Sequence, residues 1–178
     1  MEHFKLLKMT TAGVFTALIC IATMVIRIPS LGGNGYVNIG DCVILLCSWL
    51  FGGIYGALAA GLGSALADLL SGYPAYVPGT FVIKFLMGLV AYFCYKAVVS
   101  NKLKWVGQIA SGIIAEIIMV LGYLFYEAVI LGYGVGAFPA IISNILQGVT
   151  NLVLAFIAIK VLQAIRIERL FAWKKEIE

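Results

Sequence analysis

Residues 54–70 read IYGALAAGLGSALADLL. The run is apolar from end to end and carries a single charge, Asp68, close to its finish. Small residues recur along it at helical spacing: Gly56, Ala60 and Ser64 lead to Asp68, and Gly53, Ala57, Gly61 and Ala65 form a second row. A helix built this way lets a neighbouring helix approach closely in lipid, where small residues make the contact. We therefore take 54–70 as a transmembrane helix, and the segments on either side extend the same pattern.

Upstream, the Gly52-Gly53 pair turns the chain out of a shorter apolar run at 37–51. Before that lie a loop with Pro29, Gly32, Gly33, Asn34 and Gly35 and an apolar run at 9–26. Lys5 and Lys8 precede this first run and Arg27 ends it. A cleaved signal peptide begins in a similar way. This run is long for such a peptide, however, and five more follow it, so it is expected to be retained. Downstream, loop 71–79 contains Pro74 and Pro78 and leads to a run at 80–99. A polar link with Ser100, Asn101, Lys102 and Lys104 separates it from a run at 106–130. The glycine-rich loop 132–139 precedes the last run, 140–162, and a charged tail follows, expected as an interfacial helix end or a solvated tail. The predicted fold is an all-α integral membrane protein with six transmembrane helices, forming a single substrate-binding domain over 1–178.

Composition supports lipid as the solvent. Of 178 residues, 63% are hydrophobic and 11% charged, against roughly a quarter charged in soluble domains. The mean hydropathy is +1.07. At about 20 residues per crossing, the chain holds six or seven spans at most and leaves no room for an attached ATPase. Cys20, Cys42, Cys47 and Cys94 form no CxxC pair and lie in apolar runs, where they act as small hydrophobes.

The net charge of +4 is explained by topology. With six spans, both termini share a side with the links after spans two and four. Those segments hold Lys5, Lys8, Lys96, Lys102, Lys104, Lys160, Arg166, Arg169, Lys174 and Lys175, ten of the twelve basic residues. The positive-inside rule places them in the cytoplasm, and nucleic-acid binding is not needed to account for them. A multi-pass location in the bacterial cell membrane follows.

Six charged residues remain: Arg27, Asp41, Asp68, Lys84, Glu116 and Glu127. An ionisable group in a membrane is costly and marks a partner or a function. By span position most lie in the outer half, with Glu116 near the midplane. Tyr123 and Glu127 fall within about 20° of Glu116 around a helix, so span five carries two carboxylates and a phenol on one face. Asn144, Gln147 and Asn151 make a polar stripe on span six. Two such stripes are best placed facing each other across a cavity, away from lipid. Asp68 is expected to pair with Lys84, with ligand contact as the alternative. Asp41 either caps span two or touches ligand. Tyr36, Tyr73, Tyr76, Phe81 and Tyr133 supply aromatics at the outer face, as an interfacial belt or as a stacking lid over a ring.

Catalytic constellations are missing. His3 is the only histidine, and the chain has no HExxH, GxSxG or GxxxxGK[ST] motif. No inverted pseudo-repeat of a secondary transporter is visible. A self-sufficient facilitator and an intramembrane enzyme stand as alternatives to a non-enzymatic binding protein that borrows energy from a partner. No metal or cofactor is expected.

The chain resembles the substrate-binding S components of energy-coupling factor (ECF) vitamin transporters. The resemblance is carried in order by Tyr36-Val-Asn-Ile-Gly-Asp41, the small-residue run Gly56 to Asp68, Tyr76-Val-Pro-Gly-Thr-Phe-Val-Ile-Lys84-Phe-Leu-Met-Gly88, Ala115-Glu116-Ile-Ile-Met119 with Gly122-Tyr123, and Asn144-Ile-Leu-Gln147-Gly148. It implies capture of a micronutrient from outside, with a transmembrane coupling subunit and two cytoplasmic ATPases as partners. It also implies that the first helix packs on the coupling subunit through small residues, here Ala12, Gly13 and Ala17, with internal packing as the alternative. The substrate-binding candidates are Glu116, Tyr123, Glu127, Asn144, Gln147, Asn151, Lys84, Asp41, Tyr36 and Tyr76. No riboflavin-type pattern is evident in spans two and three, and no clear thiamine or biotin signature. Mixed charge with amides suits a pyridoxine-like or hydroxymethylpyrimidine-like heterocycle, with riboflavin, queuosine precursors and cobalamin as alternatives.

Overall fold

The computed structural model describes residues 2–31, 35–98 and 104–167. Six helices form the bundle: α1 (Glu2–Val25), α2 (Gly40–Leu50), α3 (Gly53–Leu70), α4 (Val77–Val98), α5 (Lys104–Phe125) and α6 (Phe138–Ala164). A two-stranded antiparallel hairpin, β1 (Ile28–Pro29) and β2 (Tyr36–Val37), joins α1 to α2. Five helices are long and apolar enough to cross a membrane, counting the extension of α5 to Ile130. The expected first span lengthens at its start to Glu2. The last residues of the charged tail lie outside the described residues.

The second span departs from expectation. It is predicted at 37–51, but α2 has only 11 residues and covers about 16 Å. The backbone before it is drawn into the hairpin, and Asn38 is buried. α2 therefore starts inside the bundle and runs to the end that carries the chain termini. Its buried start exposes backbone groups that neither water nor lipid satisfies. Side chains from α6 take their place. The Cys42 N–H donates to Asn151 Oδ1 at 2.9 Å, and the Asn38 N–H donates to Gln147 Oε1 at 2.8 Å. Asn151 Nδ2 in turn donates to the Asn38 carbonyl at 2.8 Å.

The small residues of α3 make the predicted close contacts. A Cβ on Gly63 would meet the Thr16 carbonyl of α1 at 2.6 Å, and one on Gly61 the Phe81 carbonyl of α4 at 2.8 Å. From α4, Gly88 returns the contact against Ala57 and Ala60. Gly52 turns the chain between α2 and α3 at φ 63°, with the Tyr92 ring filling the space a side chain would need. Below the polar start of α2, the interior is sealed by Ile44, Leu45, Met87, Ala115, Met119 and Ala155, all fully buried.

Candidate functional site

The end where α1, α3 and α5 finish and α4 and α6 begin collects the polar groups. Here α5 passes into a π-helical turn, Tyr126–Ile130, closed by the Leu131 N–H donating to the Tyr126 carbonyl at 2.9 Å. Such turns re-aim side chains and recur at functional sites. Gly79 makes room for the Tyr126 ring, whose hydroxyl donates to the Ala75 carbonyl at 2.7 Å. The turn brings Glu127 inward, where its Oε1 accepts from the Tyr76 hydroxyl at 3.1 Å.

A cavity of about 30 Å³ lies under the hairpin, room for roughly two water molecules. Tyr36, Tyr73, Tyr76 and Tyr123 wall it with Asp68, Glu127, Asn144 and Gln147, and Asn38, Ser30 and Gly35 complete the lining. Tyr36 donates to Asp68 Oδ1 at 2.6 Å, and its ring lies 5.0 Å from that of Tyr73. The Tyr123 hydroxyl and Thr80 Oγ1 share a hydrogen bond of 3.0 Å. The hairpin is pinned to α6 by the Leu31 N–H, which donates to Ser143 Oγ at 2.8 Å. Burial pushes the Tyr36 phenol above its ordinary range, and the Asp68 carboxylate adds to the shift. Burial does the same to Tyr76, reinforced by Glu127. Both hydroxyls keep their protons and act as donors to the carboxylates.

Behind the cavity, Lys84 of α4 and Asp41 of α2 form an ion pair at 2.5 Å, 2% and 0% exposed. Gln147 Nε2 donates to the other Asp41 oxygen at 2.6 Å. This corrects the expected Asp68–Lys84 pair: Lys84 is taken by Asp41, and Asp68 is held by Tyr36. The start of α2 lies deep enough to meet Lys84, two turns into α4. Asp41 makes no side-chain capping bond to α2; its carboxylate is spent on Lys84 and Gln147.

Of the residues proposed from sequence to contact a ligand, Tyr36, Tyr76, Tyr123, Glu127, Asn144 and Gln147 meet in the cavity wall. Asp41, Lys84 and Asn151 stand behind it as support for the broken start of α2. Glu116 sits apart. It shares a helix face with Tyr123 but lies about 10 Å further along the axis, at seven residues' rise. It is buried beside Gly148, at the edge of an apolar groove between α5 and α6, within electrostatic reach of Asp41 and Lys84. Neither carboxylate oxygen of Glu116 has a hydrogen-bond partner among the described residues. Asn38 and Ser30 were not among the ligand candidates, whereas Tyr73 stood as belt or stacking lid and Asp68 chiefly as a partner for Lys84. For Asn38 a signal existed: an Asn just before a helix favours an Asx turn, and its Oδ1 accepts from the Gly40 N–H at 2.9 Å. On α1, Gly13 and Ala17 face outward, whereas Ala12 turns toward the core.

An all-helical membrane bundle with a small polar cavity at one end is the class that fold and site define. The chain belongs to the family described as the S component of the ECF-type riboflavin transporter, whose model matches residues 3–165. That match spans the two helices in which no riboflavin-type pattern was evident. A Pyrococcus woesei protein described as the uncharacterized protein in the gap 3′ region is 36% identical over 136 residues, covering 76% of this chain and 88% of that one. The thiamine precursor transporter HmpT of Lactococcus lactis subsp. cremoris (strain MG1363) is 26% identical over 160 residues, 87% of each protein. A solved structure of the S component of a bacterial ECF transporter superposes with a TM-score of 0.68 at 23% identity, over 93% of this chain and 98% of that one. This last likeness bears on the fold.

Proposed function

We propose that this protein captures a small, water-soluble vitamin precursor at the outer face of a bacterial plasma membrane and delivers it through an ECF module. The observation that carries this reading is the cavity walled by tyrosines, carboxylates and amides at one end of the bundle of an S-component family member. The distribution of basic residues orients that end outward and the termini toward the cytoplasm. The chain binds and does not catalyse. Its partners are a transmembrane coupling subunit, docked on the Gly13–Ala17 face of α1, and two cytoplasmic ATPases.

For the ligand we favour a hydroxymethylpyrimidine-like heterocycle. The tyrosine rings suit a single flat ring, which enters once the hairpin and the Tyr73–Tyr76 segment open the present two-water space. The relative named as a thiamine precursor transporter supports the same class. Riboflavin is the second reading, favoured by the description of the matching family. Its three-ring system demands a much larger opening of the hairpin and the Tyr73–Tyr76 segment.

Native mass spectrometry of the protein purified from cells grown in rich medium identifies a retained ligand, and calorimetric titration compares an aminopyrimidine with riboflavin. The expected result is saturable binding of the pyrimidine by the solitary chain. Vesicles should accumulate it only when the coupling subunit and ATPases are present. Uphill uptake by the chain alone refutes the assignment.

A further inference from the structure

The cavity wall combines carboxylates with phenols and amides, and two of the phenols already direct their protons to carboxylates. The Tyr36 proton is committed to Asp68 and the Tyr76 proton to Glu127. Gln147 directs an N–H to Asp41. Among the described lining residues there is no lysine or arginine. Lys84 is tied to Asp41 behind the wall, and Arg27 stands outside, 6.0 Å from the centre of the Tyr36 ring. Glu127 lines this cavity at 4% exposure, and its Oε2 is buried with no hydrogen-bond partner among the described residues. A buried carboxylate oxygen without a donor is strongly unfavourable unless something that binds there supplies one.

We propose that Glu127 Oε2 accepts an N–H from an exocyclic amino group of the ligand, so that Glu127 selects amine-bearing heterocycles over their oxo counterparts. The inference rests on the small-heterocycle reading above and adds a residue and a functional group to it. An amino group supplies the donor that Glu127 Oε2 lacks, and a charge-assisted N–H···O bond is stronger than a neutral one. A carbonyl in the same place sets acceptor against acceptor and leaves Oε2 without a donor. Sites built around a buried hydrogen bond reject analogues that cannot make it far more strongly than apolar pockets reject a change of size.

The experiment is isothermal titration of the full-length purified protein with 4-amino-5-hydroxymethyl-2-methylpyrimidine and with its 4-oxo analogue. Wild type, Glu127→Gln and Glu127→Asp are compared, with riboflavin as a third ligand. Wild type should bind the amine roughly 10- to 100-fold more tightly than the oxo compound. Glu127→Gln offers an amide N–H to the carbonyl, so the preference should fall below about threefold or invert. Glu127→Asp keeps the charge but withdraws it from the ligand; it should lose most of the preference, and it serves as the second probe if the glutamine variant does not fold. Equal binding of the two pyrimidines by wild type overturns the inference and leaves the proposed function standing. A preference that survives both substitutions overturns the assignment to Glu127. Failure of either pyrimidine to bind while riboflavin binds overturns the small-heterocycle reading and the inference with it.

Discussion

Replacing Lys84 with methionine tests whether the Asp41–Lys84 pair holds the broken start of α2 in place. The Lys84 ammonium meets Asp41 at 2.5 Å, with both groups almost wholly buried. Gln147 Nε2 donates to the other carboxylate oxygen. Methionine preserves most of the side-chain volume and removes the cation. Asp41 is then a buried carboxylate with one neutral partner, and Glu116 nearby loses the same counter-charge. Breaking a buried pair from one side costs about 3–5 kcal/mol. At about 2–4 °C per kcal/mol for a chain of this size, the melting temperature in detergent should fall by roughly 6–20 °C. Asp41→Asn keeps an acceptor for Gln147 and removes the charge, so the double variant Asp41→Asn/Lys84→Met should recover more than half of that loss. The assay is a thermal melt followed by intrinsic tryptophan fluorescence, with size-exclusion chromatography to confirm monodispersity. If Lys84→Met melts within about 3 °C of wild type, or the double variant is no more stable than the single, the pair is not what anchors α2.

Other consequences are open to direct measurement. Glu116→Gln removes a carboxylate that has no hydrogen-bond partner, so melting should hold or rise by up to about 2 kcal/mol equivalent. Ligand affinity should stay within about threefold, and a tenfold loss in titration would return Glu116 to the site. Gly63→Val places a side chain against the Thr16 carbonyl, 2.6 Å from its Cβ; the separation of α1 from α3 should cost about 1–3 kcal/mol, read as a lower melting point. Ala17→Trp adds bulk on the outward face of α1 and should leave binding by the solitary chain intact. Uptake in vesicles containing the complete module should drop severalfold, and unchanged uptake would remove that face from the coupling interface.

The helices were legible because span length and apolar runs depend on local sequence alone. The α3 small-residue rows also foretold tight packing, as Gly61, Gly63 and the Gly88 contacts show. Partner choice among charges was not legible. Lys84 and Asp68 share a depth, yet Lys84 pairs with a residue 43 positions away whose depth depends on α2 starting inside the bundle. That start is set by Asn38, Gln147 and Asn151, separated by 109 residues or more, and no periodicity encodes so distant a bond. Face alignment grouped Glu116 with Tyr123 and Glu127 because an angle around a helix says nothing of height along it. The π-helical turn at Tyr126–Ile130 was invisible for a related reason: the contacts of Tyr126 with Gly79 and Ala75 that accompany it are about 50 residues away in sequence.

The interrupted start of α2 also governs how the chain is made. An 11-residue segment bearing a carboxylate is a poor candidate for lateral release into lipid on its own. It must enter as a hairpin with α3, folded back at Gly52. Its counter-charge, Lys84, is synthesised 43 residues later, and the amides that satisfy its backbone arrive more than 100 residues later. During biogenesis α2 is thus a provisional element, finished only when the sixth helix docks. A ribosome stalled before α6 would leave a protease-sensitive α2, and nascent-chain truncations would mature in a single late step.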